Sequence, residues 1–124
     1  MRIKPSVYIV GISGGQLDDF IKVGANKVMD KTIFFYDLEK TLKSFNIKST
    51  DTILVIDDND GARYILCIYL RKIYVNITII EVKNPIEAIN LFITDIDLIF
   101  IDNEMPYMSG LDFIKAIRNG RYWD

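Results

Sequence analysis

Asp97-Leu98-Ile99-Phe100-Ile101-Asp102-Asn103-Glu104-Met105-Pro106-Tyr107-Met108-Ser109-Gly110 decides the reading of this chain. Its apolar run has no polar alternation, the pattern of a strand covered on both faces. It stops at Asp102, and Met105 to Gly110 reads as a loop before a helix carrying Leu111, Ile114 and Ile117 that stops at Gly120. Upstream, Thr52-Ile53-Leu54-Val55-Ile56 is a second such strand, ending at Asp57-Asp58. A helix pattern from about Asp60 to Lys72 follows it, then a β-branched strand from Asn76 to Val82. Pro85 suits a helix first turn, with Ile86, Ile89 and Phe92 on one face.

The front of the chain repeats the alternation. Val7 to Ile12 is a strand that stops at Ser13-Gly14-Gly15, and Leu17, Phe20, Ile21 and Val23 have near-helical spacing before Gly24. Lys27 to Asp30 is a short strand followed by a loop through Lys31 and Thr32. Leu38, Leu42 and Phe45 mark a helix with Asp37 as its N-cap candidate, and Asn46 to Asp51 is a polar connector. Five strand–helix units in alternation predict an α/β fold, a doubly wound five-stranded parallel sheet in a three-layer sandwich.

The length, 124 residues, fits one domain, and 50% hydrophobic residues suffice for a packed core. A net charge of −2 makes no case for nucleic acid or an anionic membrane. There is no histidine, which excludes Ser-His-Asp and Cys-His catalysis, imidazole zinc sites and a histidine general base. The single cysteine, Cys67, lies in an apolar stretch and reads as a core residue in a reducing setting. No signal peptide is evident, and the apolar runs fall well short of the roughly 20 residues that span a bilayer. A cytoplasmic location without membrane insertion is expected.

In sheets of this type, ligands bind beyond the carboxyl ends of the strands. Asp57, Asp58 and Asp102 fall there, as do Ser13 and Lys31. Taken singly, each has an ordinary reading: an acidic turn, a helix cap, a glycine turn, a solvated lysine. Tyr107 and Trp123 read as packing or surface residues. Together they have a chemistry. Clustered carboxylates call for a cation, and oxygen-only ligands favour Mg²⁺. A carboxylate beside Mg²⁺ can act as a nucleophile on phosphorus, with the lysine and hydroxyl suited to phosphoryl oxygens.

These residues resemble the receiver domain of two-component and phosphorelay signalling. Leu54 to Asn59 is similar to the family's first strand with its acidic pair, and Asp97 to Gly110 to its phosphoacceptor strand and Met-Pro loop. The resemblance implies that Asp102 is phosphorylated and that Asp57, Asp58, Asp102 and the Glu104 carbonyl hold Mg²⁺. The rest of a receiver appears in front. Val10 to Gly14 resembles the fourth strand with its switch residue Ser13, and Phe20 to Lys31 resembles the fourth helix, the fifth strand and the lysine. The implied fold is flavodoxin-like and circularly permuted. Residues 1–48 correspond to the family's fourth and fifth strand–helix units, and 49–124 to its first three.

Three departures stand out. Thr32 replaces the proline that usually follows the lysine, the segment from Ser13 to Gly24 is about one helical turn (roughly 3.6 residues) short, and Val28 replaces an aromatic residue. Receivers of hybrid histidine kinases often resemble Gly11-Ile12-Ser13-Gly14 and the Val28 pattern, which points to that subgroup. The resemblance implies a phosphoacceptor that draws on a histidine kinase or histidine phosphotransfer protein. It would catalyse only its own phosphorylation and slow autodephosphorylation, as a monomer or a dimer exchanging halves. A phosphorylation-independent binding module, a fragment of tandem receivers and a Mg²⁺-dependent phosphatase are the alternatives.

Overall fold

The structure, a computed structural model, describes residues 1–15, 17–33, 35–92 and 94–122, and the backbone alone at 17 and 18. Trp123 therefore lies outside the described residues, as does the side chain of Leu17. Among the described residues ten elements alternate: β1 (Tyr8–Ser13), α1 (Leu17–Lys22), β2 (Lys27–Asp30), α2 (Phe35–Ser44), β3 (Thr52–Ile56), α3 (Asp60–Ile73), β4 (Thr78–Val82), α4 (Pro85–Ile89), β5 (Leu98–Asp102) and α5 (Gly110–Arg118). The strands form one sheet in the order β2-β1-β5-β3-β4, and every pair is parallel. Their carboxyl ends therefore share one edge, which gathers the polar residues that follow them.

The apolar strand runs feed two cores. Ile9, Leu54, Ile56, Ile99 and Ile101 face α1, α4 and α5, where they meet Phe20, Ala88, Phe113, Ile114 and Ile117. Val10, Ile12, Ile53, Val55, Leu98 and Phe100 face α2 and α3, where they meet Leu38, Leu42, Leu66, Cys67 and Leu70. Alternate residues of one strand thus serve opposite layers, which explains why the runs carry no polar positions. Each such burial contributes about 1.5–3 kcal/mol. The three-layer α/β sandwich expected from the sequence is present.

Local differences have simple causes. Asp37 is not an N-cap; it lies in the first turn of α2, which begins two residues earlier at Phe35. β4 begins at Thr78, because Tyr74 to Ile77 forms a turn closed by the Ile77 amide on the Tyr74 carbonyl (3.2 Å). α4 ends at Ile89 with Asn90 as its C-cap, so Phe92 is off the helix and fully exposed. Pro85 and Ala88 carry its buried face instead, and Ile86 is exposed. α1 is short, and Gly24 turns the chain away from it with φ 111°. No helix among the described residues is long and apolar enough to cross a membrane.

Candidate functional site

The acidic turn after β3 is tied down at several atoms. The Asp57 amide donates to the Val82 carbonyl (3.2 Å), extending the pairing with β4 past the end of β3. Asp57 Oδ1 accepts from the Asn59 amide (2.9 Å), and Asn59 Oδ1 accepts from Ala62 N (2.9 Å) as the N-cap of α3. The turn that places Asp57 is therefore also the start of the helix. Asp57 is buried and Asp58 is exposed.

Asp102 ends β5 between the two halves of the sheet, in register with Ile12 of β1, and is only 5% exposed. The loop after it is held by Asn103, whose carbonyl accepts from Gly110 N (3.1 Å) and whose Oδ1 accepts from Leu111 N (3.0 Å). Ser109 caps α5 by accepting from Asp112 N (3.1 Å). Gly110 closes on the strand end, and a Cβ there would lie 2.3 Å from the Asp102 carbonyl oxygen. Tyr107 sits at the loop tip, exposed, with φ 75°.

Lys31 reaches the same edge from the loop after β2. Its amide donates to the Ser13 carbonyl (3.2 Å), and Nζ lies 3.9 Å from Asp102 Oδ1. Its bond to Thr32 is trans, since no peptide bond among the described residues is cis. Ser13 is buried at the end of β1, and its Oγ accepts from Gly15 N (3.1 Å). Asp102 borders two clefts. One, of about 310 Å³, is lined by Lys31, Asp57, Asp58, Asn59, Asp102 and Glu104, with Ile33, Ala62, Ile65 and Leu66 on its apolar side. The other, of about 370 Å³, joins Ser13, Gly14 and Gly15 to Lys31, Asp102 and Glu104.

The charges are in conflict. Carboxylate oxygens of Asp57, Asp58 and Asp102 lie within 4.8 Å of one another. Burial raises the Asp57 carboxyl above its ordinary value, with the Asp58 charge adding to this and the Asn59 amide, Lys31 and Arg63 opposing. Burial also raises Asp102, reinforced by Asp57 and opposed by Lys31. Among the described residues, the three carboxylates are set against the half-exposed Lys31 ammonium and, at Asp57, the Arg63 guanidinium. An all-oxygen set with this repulsion fits a hard divalent cation such as Mg²⁺.

Every site residue named from the sequence lines one of these two clefts, and Lys31, Asp102 and Glu104 line both. Sequence reading passed over Asn59, Asn103 and Arg63. Arg63 Nη1 donates to the Asp57 carbonyl (2.7 Å), a contact that the six-residue spacing does not announce.

The fold and this site define a receiver. The chain belongs to the response regulator receiver domain family, whose model matches residues 53–123. Such domains are phosphoacceptor signalling modules of two-component systems, not enzymes in the usual sense, and bind Mg²⁺ at an acidic pocket. The chain is similar to the autoinducer 1 sensor kinase/phosphatase LuxN of Vibrio campbellii, with 32% identity over 68 residues, 54% of this chain and 8% of that protein. It is also similar to stress response regulator protein 1 of Scheffersomyces stipitis, with 34% identity over 71 residues, 56% of this chain and 25% of the relative. The matched stretches thus span a quarter or less of these relatives. No solved structure matches.

Proposed function

We propose that this chain accepts a phosphoryl group on Asp102 from a phosphohistidine of a histidine kinase or histidine phosphotransfer protein. The observation that carries this is the buried Asp102 carboxylate, 3.9 Å from Lys31 and grouped with Asp57 and Asp58. An Asp102 carboxylate oxygen bonds to phosphorus as the P–N bond of the donor breaks, and the electron pair leaves with the imidazole. Mg²⁺, when held by Asp57, Asp58, Asp102 and the Glu104 carbonyl, supplies charge neutralisation to the phosphoryl oxygens. Lys31 adds a second positive charge, and the Ser13 hydroxyl receives the phosphoryl group once transferred. Positioning and charge stabilisation account for the chemistry.

The residues 1–124 act in this reading as one cytoplasmic domain in permuted order, 1–48 standing for the receiver's last two units and 49–124 for its first three. The sheet order supports it. With β3, β4 and β5 taken as the family's first three strands and β1 and β2 as its last two, the neighbours run second, first, third, fourth, fifth. The likeness to a sensor kinase/phosphatase favours a donor of the histidine kinase class. Incubation with acetyl phosphate and Mg²⁺, followed by intact-protein mass spectrometry, tests the core claim. The wild type gains one acid-stable, base-labile phosphoryl group and Asp102→Asn gains none. Equal incorporation into Asp102→Asn overturns the reading.

A further inference from the structure

Arg63 makes several directed contacts at the acidic turn, and no step above uses it. It projects from the first turn of α3 and its side chain is only 12% exposed. Nη1 donates to the Asp57 carbonyl (2.7 Å), Nη2 donates to Asp60 Oδ1 (2.6 Å), and Nε lies 3.4 Å from Glu81 Oε1. Glu81 belongs to β4, in register with Val55 of β3. One guanidinium therefore hydrogen-bonds the turn and the helix start and lies within ion-pair range of a carboxylate on the neighbouring strand.

We infer that Arg63 is a positioning residue for the cation site, fixing the backbone of Asp57 so that its carboxylate stays beside those of Asp58 and Asp102. This rests on the metal-dependent phosphoacceptor reading above. Around Asp57, β4 holds the amide through Val82, Asn59 holds Oδ1, and Arg63 holds the carbonyl. Without the guanidinium, the Asp57 carbonyl loses the 2.7 Å hydrogen bond that fixes its peptide plane. The planar fork suits this task, because two nitrogens engage two oxygens at fixed angles while the third faces a carboxylate on another element. A lysine offers one point charge and cannot span the three.

The inference has a sign that separates it from simple charge. Removing a cation near an acidic cluster, with no other change, tightens Mg²⁺ binding. Loss of a positioning contact weakens it, and outer contacts of metal ligands commonly count for about 10–100-fold in affinity. The test is a MgCl₂ titration of the whole chain, followed by calorimetry and by the amide NMR shifts of Asn59 and Asn103, well below each variant's unfolding midpoint. Arg63→Met and Arg63→Lys are both expected to bind Mg²⁺ at least about tenfold more weakly than the wild type. The metal-free Asn59 amide, which reports the Asp57 contact, should shift in both. Arg63→Lys keeps the charge and serves if Arg63→Met fails to fold. Adding Glu81→Gln to Arg63→Lys should cost no further affinity beyond that of Glu81→Gln alone. Unchanged or tighter binding in Arg63→Lys overturns the inference while leaving the metal site intact. A wild type without a saturable Mg²⁺ response overturns the metal site and the inference with it.

Discussion

Lys31 Nζ stands 3.9 Å from Asp102 Oδ1, pairing a half-exposed ammonium on the loop after β2 with a carboxylate buried at the end of β5. The distance is that of a through-space ion pair rather than a hydrogen bond, so the ammonium is not committed to Asp102 by a direct hydrogen bond and can turn its donors to a ligand oxygen beside that carboxylate. Lys31→Met should therefore matter far more to phosphoryl transfer than to folding. We expect a stability loss of less than about 1 kcal/mol in urea unfolding, because the ammonium is solvated. Acceptance from acetyl phosphate should slow by roughly 100-fold, as expected for loss of a charge aimed at transferring oxygens. A rate near that of the wild type would remove Lys31 from the mechanism.

The acidic cluster makes the metal-free protein sensitive to pH, and the sign follows from the raised carboxyls of Asp57 and Asp102. The native state binds protons more tightly than the unfolded chain. Stability therefore falls as pH rises from the ordinary carboxylate value of 3.8 through the raised native values, and the loss is complete once pH exceeds them. Mg²⁺ should raise the unfolding midpoint at neutral pH and lose this effect as acid protonates the cluster. Calorimetric scans with Mg²⁺ or EDTA at neutral and mildly acidic pH measure both trends.

Asp57→Asn removes one of the two buried charges. In EDTA at neutral pH it should melt a few degrees above the wild type, about 3–6 °C for each kcal/mol in a chain of this size. It should also lose the rise in midpoint on adding Mg²⁺. A variant that melts lower than the wild type in EDTA would mean that Asp57 is not strained by its neighbours.

Gly110→Ala places a methyl group 2.3 Å from the Asp102 carbonyl oxygen and 3.0 Å from Asn103 Cα. Both obstacles are backbone, so strand end and helix start must separate. We expect a stability loss of about 1–3 kcal/mol together with slowed phosphoryl transfer, read by urea unfolding and by the acetyl phosphate assay.

Cys67 is a built-in probe of the opposite core. Burial, reinforced by Glu81, pushes its thiol up to about 11, so the native protein should resist an aromatic disulfide reagent at mildly alkaline pH. Reaction in urea should be complete and rapid. Rapid labelling of the folded chain would show that the face under α3 opens readily.

The strands were legible wherever both faces are buried, as in Ile53 to Ile56 and Leu98 to Ile101, because neither layer tolerates a polar residue there. Asp57, Asp58, Asp102, Ser13 and Lys31 were legible as positions because each ends or closely follows a strand. Arg63 was not. With Asp60 three residues earlier it looks like an ordinary helix-surface pair, and its contact with Glu81 depends on the register of β3 with β4, which no local pattern encodes. The face of α4 was misjudged for a related reason: Phe92 continues the apolar spacing of Ile86 and Ile89 after the helix has already ended at Asn90.

The sheet order also sets a schedule. β1 pairs with β2 and β3 with β4, while β5, the last of the five strands along the chain, pairs with β1 on one side and β3 on the other. During synthesis the two earlier pairs have no shared ladder to lock them. Ser13 and Lys31 ride on one pair and Asp57 and Asp58 on the other, and Asp102 is the wedge that unites them. Asp102 thus arrives on the same strand that closes the sheet, so a chain whose folding stalls before residue 102 displays neither a finished core nor the full cluster of three carboxylates.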